Sequence, residues 1–135
     1  CALPIFTRNI RKLDRNPRVR DQLVKLQQQF GAKGPTVAEG RDIGTVVFPD
    51  ARCKIYMDAS IDVRARRRAA QLEQKGETVD IDQLREEIRQ RDDSDMTRDV
   101  APLRKADDAI LVDTSDMTFE QVVKHVVALT RKARQ

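Results

Sequence analysis

Cys53-Lys54-Ile55-Tyr56-Met57, followed by Asp58-Ala59-Ser60, reads as a short strand that enters a turn, with Ser60 placed to cap a helix beginning at Ile61. That helix runs through Arg64, Arg66, Arg67 and Arg68 toward Leu72, and Gly76 is its natural stop. Asp80 or Asp82 can cap a further helix carrying Leu84 and Ile88, which continues toward Arg91-Asp92-Asp93 and has to break before Pro102. Residues 109–112 supply another apolar strand. Thr118 and Gln121 then form a capping-box pattern ahead of Phe119, Val122, Val123, Val126, Val127 and Leu129, an amphipathic closing helix.

Upstream, Val19, Leu23, Leu26 and Phe30 recur at helical spacing, which predicts a helix over residues 17–30 with Pro17 in its first turn. Gly31, Gly34 and Pro35 end it. Thr36-Val37-Ala38 reads as a short buried strand leading into Glu39-Gly40-Arg41-Asp42, and a loop through Gly44 and Pro49 follows. Strands alternating with helices predict an α/β fold built on a parallel sheet buried on both faces. In such sheets ligands gather beyond the carboxyl ends of the strands, where Arg41, Asp42, Asp58 and Asp113 are expected. No repeat, low-complexity segment or flexible linker interrupts the pattern.

Composition narrows the function classes. The chain has 135 residues, 39% hydrophobic and 36% charged, with a net charge of +4, enough for one modest domain with a highly charged surface. The charge is unevenly spread: residues 1–41 hold nine basic and three acidic side chains, whereas residues 61–105 hold eleven of each. Interleaved carboxylates would repel the nucleic-acid backbone that a basic stripe grips, so small anions suit the pattern better. Cys1 and Cys53 lack CxxC spacing, and His125 lies alone among Val122, Val123, Val126 and Val127, where a core role is expected. This argues against a structural zinc or a disulfide framework, so no metal-binding side chain is expected and a reducing cytoplasm is the default. Cys53 itself is expected to be a small buried strand residue. No apolar run is long enough for a bilayer span, and residues 1–6 lack a charged secretory leader. The chain does not begin with Met, and no strand precedes its first helical pattern, so a fragment of a longer protein is expected.

Glu39-Gly40-Arg41-Asp42-Ile43-Gly44-Thr45-Val46-Val47-Phe48-Pro49-Asp50, then Asp58-Ala59-Ser60, Arg64, Arg67-Arg68, Arg91-Asp92-Asp93-Ser94-Asp95, Arg98 and Ala101-Pro102-Leu103 resemble bacterial cytidylate kinases in order and spacing. The resemblance covers residues 7–135, a partial domain with a lid around residues 61–76; residues 1–6 match nothing in the family. It implies a three-layer, P-loop kinase-like α/β fold, incomplete on its N-terminal side. It also implies transfer of the terminal phosphoryl group of ATP to CMP or dCMP with Mg2+, by a protein that is monomeric, cytoplasmic and bound neither to a membrane nor to a nucleic-acid polymer. By this likeness Arg20 holds the cytosine or the phosphate end of the acceptor, with Asp42 and Arg98 on the pyrimidine side. Arg41 meets the CMP phosphate, and Arg91 with Asp95 engages the pentose. Arg64, Arg67 and Arg68 belong to a mobile lid that closes over ATP and excludes water. Arginine suits these tasks because its planar guanidinium grips phosphate bidentately.

Without that resemblance, residues 64–68 read as a salt-bridged helix face and residues 91–99 as a solvated helix end. Two departures from the family stand out. No GxxxxGK[ST] loop occurs anywhere in the chain, so the backbone cradle and lysine for donor phosphates are absent and the chain alone is expected to be inactive. Arg11 occupies a position where the family presents a serine to the base. Another small-molecule P-loop kinase and, on the basic first third, a nucleic-acid-binding module are the alternatives.

Overall fold

The computed structural model describes residues 16–133. Helix α1, Pro17–Gly31, starts where Asn16 accepts hydrogen bonds from the backbone N–H groups of Arg18 and Val19 and Pro17 supplies a ring that needs no donor. Gly31 is its last residue. The chain after it reaches a five-residue π-helical turn, Ile43–Val47, which packs against α1. Gln28 Nε2 donates to Val47 O at 3.0 Å across this contact. A β-carbon on Gly31 would stand 2.6 Å from Cε1 of Phe48, so the glycine lets the ring lie against the helix.

Strand β1, Ile55–Asp58, pairs in parallel with β2, Ile110–Asp113, in the register Ile55 with Ile110 through Asp58 with Asp113. Between them lie α2, Ile61–Glu73, and α3, Ile81–Thr97, which pack side by side. Ser60 caps α2 by accepting from Val63 N, and Asp80, rather than Asp82, caps α3. Gly76 adopts φ +81, the left-handed geometry of a helix stop, while Glu77 N closes onto Leu72 O. Ala65 and Ala69, one turn apart on α2, are buried and small, which allows the close approach of α3 with its buried Leu84. Helix α4, Phe119–Lys132, begins with the expected capping box of Thr118 and Gln121.

The α/β class, the parallel pairing and the four helices agree with the sequence reading; three details do not. Thr36-Val37-Ala38 is not a strand: its residues are exposed, Val37 fully so. Strand propensity needs a neighbouring edge, and the described sheet has only β1 and β2. Arg41 and Asp42 therefore lie in a bend before the π-helical turn, not at a strand end. His125 is exposed on α4 instead of buried among its valines, and Cys53 is half-buried just before β1. Arg11 and residues 1–6 lie outside the described residues.

Candidate functional site

Asp42 is the buried centre of the site. Only 3% of the residue is exposed, and its carboxylate pairs with Arg20 of α1, 22 residues earlier. The π-helical turn explains the placement: Val46 N and Val47 N both donate to Asp42 O, at 2.8 and 3.2 Å, so the residue is fixed by backbone as well as by charge. A carboxylate taken out of water needs such a partner, since Coulombic attraction offsets its desolvation.

Arg20, Gln27, Glu39, Gly40, Arg41, Asp42, Ile43 and Arg98 line a cleft of about 220 Å³. Arg98 follows α3 and is steadied by donating from Nε to Ala101 O at 2.7 Å. Ala101 takes φ +52, a left-handed conformation uncommon for a residue with a β-carbon, and its carbonyl is the one that holds Arg98. Among the described residues Arg20 Nε and Gln27 Oε1 are buried without hydrogen-bond partners. A neighbouring hollow of about 320 Å³ shares Arg20 and is otherwise lined by Asp21, Val24, Lys25, Gln28, Val46, Val100 and Ala101.

Asp95 extends the site onto α3. Its Oδ2 accepts from Arg41 Nε at 2.7 Å and lies 3.9 Å from Arg91 Nε, while its backbone carbonyl receives Leu103 N at 2.7 Å. Arg41 keeps 40% of its side chain exposed, with both terminal nitrogens outside this bond. Thus Arg20, Arg41, Asp42 and Arg98 share one cleft, Asp95 joins it through Arg41, and Arg91 stands at its rim through Asp95.

The three arginines of α2 expected in the lid divide. Arg64 donates from Nε to Ala59 O at 3.0 Å and forms an ion pair through Nη2 with Asp92 of α3 at 2.7 Å. Its hydrogen bond with Asp92 raises the guanidinium above its ordinary pKa, against an opposing effect of burial. Arg67 turns to the segment after β2, where it donates to Thr114 Oγ1, Thr114 O and Met117 O at 3.1, 2.6 and 3.2 Å. Thr114 is itself buried and donates to Asp58 O, so Arg67 ties α2 to the carboxyl end of the sheet. Arg68 is exposed, with a 3.5 Å contact to Gln71 of its own helix. Arg66, read as an ordinary solvated side chain, is exposed and bonds to Asp62 O.

Two participants escape a sequence reading. Gln27 carries no motif, and Asp92 sits in a run of carboxylates that looks like a solvated helix end. The balanced charge of residues 61–105 is the one signal that pointed to such pairing. Among the described residues no three His, Cys, Asp or Glu side chains converge on a possible metal position, so the donor set does not form a protein cage for Mg2+.

Residues 6–132 match the family model described as cytidylate kinase. The chain is 47% identical over 116 residues to the cytidylate kinase of Enterobacter sp. (strain 638), covering 86% of this chain and 51% of that protein. It is 53% identical over 111 residues to that of Pseudomonas aeruginosa (strain UCBPP-PA14), covering 82% and 48%, and 49% identical over 117 residues to that of Fervidobacterium nodosum, covering 87% and 53%. It spans about half the length of the curated relatives it matches.

Proposed function

The chain belongs to the cytidylate kinase family, and from that membership we propose that it forms the acceptor side and the lid of an enzyme that transfers the terminal phosphoryl group of ATP to CMP or dCMP, giving CDP or dCDP and ADP. The observation that carries this reading is the convergence of Arg20, Arg41, Asp42 and Arg98 on one cleft from three separate parts of the chain. Phosphoryl transfer asks a protein for positioning and for cations around the moving group, with little covalent chemistry. Arg41, with both terminal nitrogens outside its bond to Asp95, takes the acceptor phosphate. Asp42 and Arg98 present an acceptor and a donor to the pyrimidine edge, and Arg20 fixes Asp42 while facing the same cleft. Asp95 and Arg91 meet the pentose.

Residues 61–76 act as the lid, with Arg64, Arg67 and Arg68 carrying positive charge toward the donor phosphates as it closes. For Arg67 this requires release of three hydrogen bonds to the segment after β2. Mg2+ would come with ATP as part of the donor and would neutralise charge on its phosphates. Since no GxxxxGK[ST] is present, turnover depends on a donor-binding P-loop from outside these 135 residues. The whole protein acts as a monomer in the cytoplasm, with no membrane or nucleic-acid partner. None of the described helices is long and apolar enough to cross a membrane.

The nucleic-acid reading draws less support, because Arg20, Arg41 and Arg64 each already face a carboxylate. A coupled ATP-consumption assay tests the proposal. The chain joined to the P-loop half of a relative should turn over CMP and dCMP in preference to UMP and AMP, and the chain alone should be silent. Preference for AMP or another acceptor would move the assignment to a different small-molecule kinase, and robust turnover by the chain alone would refute the need for the loop.

A further inference from the structure

Helix α3 presents two carboxylates on one face, Asp92 and Asp95, three residues apart, and each holds an arginine from a different part of the chain. Asp95 holds Arg41 of the acceptor cleft, whereas Asp92 holds Arg64 of α2. The two pairs are built alike: one edge of the guanidinium is engaged and nitrogen donors remain over. For Arg64, Nε is used by Ala59 O and Nη2 by Asp92, and among the described residues Nη1 has no such partner. An anchored arginine with a spare donor loses less side-chain freedom when it grips an anion than a free one does.

We propose that Asp92 is a positioning residue, which holds Arg64 against α3 with a donor left for the phosphates of ATP, so that one helix sets an arginine for the acceptor and an arginine for the donor. The inference rests on the reading of Arg64 given under Proposed function. It assigns Asp92 a task that its setting in a charged helix end conceals, and it makes the spacing of Asp92 and Asp95 a determinant of how the two arginines are placed relative to each other.

Two effects oppose each other when Asp92 is neutralised, and their signs separate the explanations. Removal of a nearby negative charge raises the attraction of the lid for a polyphosphate. Loss of positioning lowers it, because Arg64 must then be ordered during binding. Side-chain 15N NMR of Arg64 Nη2 and calorimetric titrations with ATP and with CMP, on the chain joined to the P-loop half of a relative and on its Asp92→Asn, Asp92→Glu and Arg64→Ala variants, test the proposal. In Asp92→Asn the Arg64 Nη2 protons should lose their order and exchange faster with water. ATP affinity should fall by about 2- to 10-fold relative to CMP affinity, with partial recovery in Asp92→Glu. An equally ordered Arg64, or ATP binding that is unchanged or tighter in Asp92→Asn, would overturn the inference while Arg64→Ala still weakens ATP. An equal loss for ATP and CMP with a lowered melting temperature would also overturn it, as a packing role. If ATP binding is absent or indifferent to Arg64→Ala, the assignment of Arg64 itself falls, and the inference with it.

Discussion

Arg20 of α1 and Asp42 at the entrance to the π-helical turn form an ion pair whose carboxylate side chain is only 4% exposed, with the arginine side chain at 15%. The pair joins the first described helix to the cleft and commits a charge to the interior.

Breaking that pair from the acid side strands a guanidinium with nothing to offset its desolvation. Asp42→Ala should therefore lower stability by about 3 kcal/mol, read as a shifted midpoint in urea denaturation with an unchanged slope. In a protein completed with a P-loop, Asp42→Ala and Arg98→Ala should both weaken use of CMP strongly. Unchanged kinetics in either would remove that residue from the site.

Arg67 and Arg68 are adjacent in sequence yet differ in what they hold. Arg67→Ala deletes three hydrogen bonds to the segment after β2 and should cost about 1–3 kcal/mol. Arg68→Ala, losing a single long contact at the surface, should stay within about 0.5 kcal/mol of the native chain. Thermal melts of the two variants side by side check this; equal melting temperatures would show that the tie to Thr114 and Met117 contributes nothing.

Acid should loosen the link between the approach to β1 and the approach to β2. Asp108 accepts from Lys54 Nζ at 2.8 and 2.9 Å, and this hydrogen bond is the main cause that holds its carboxyl below the ordinary value of 3.8. A group with a depressed folded-state pKa contributes stability above its unfolded value and loses it as the pH falls through the folded one. Asp113 behaves likewise, with the Ser115 hydroxyl as the main cause. Asp108→Asn should consequently flatten the decline in stability below about pH 4, measured at low salt by melts across the acid range. A decline as steep as that of the native chain would assign it to other carboxylates.

The helices are legible in the sequence because their signals are local: Pro17 after Asn16, Ser60 before Ile61, and Thr118 with Gln121 announce their ends within a turn of where they act. Residues 55–58 and 110–113 are legible as strands by their apolar, β-branched character, although the first begins two residues and ends one residue later than expected and the second is shifted by one. Thr36-Val37-Ala38 has the same composition and forms no strand, because strand propensity is realised only beside a partner edge, a tertiary fact. The site shows the same division. The run from Glu39 to Asp50 marks where the cleft lies, but Arg41 and Asp95 stand 54 residues apart and Arg67 and Thr114 stand 47 apart, so neither pairing has a local signal. Asp92 illustrates the limit most clearly, since three carboxylates within four residues of α3 look alike until the fold places one of them at Arg64.

Calorimetric titration of the 135-residue chain with CMP, beside its Arg41→Ala variant, decides whether this cleft holds a nucleoside monophosphate. An intact acceptor cleft predicts saturable binding at one site, weakened at least about tenfold when the phosphate-facing guanidinium is removed. No saturable binding by the native chain, or equal affinity in Arg41→Ala, would contradict the assignment of this cleft to a nucleoside monophosphate.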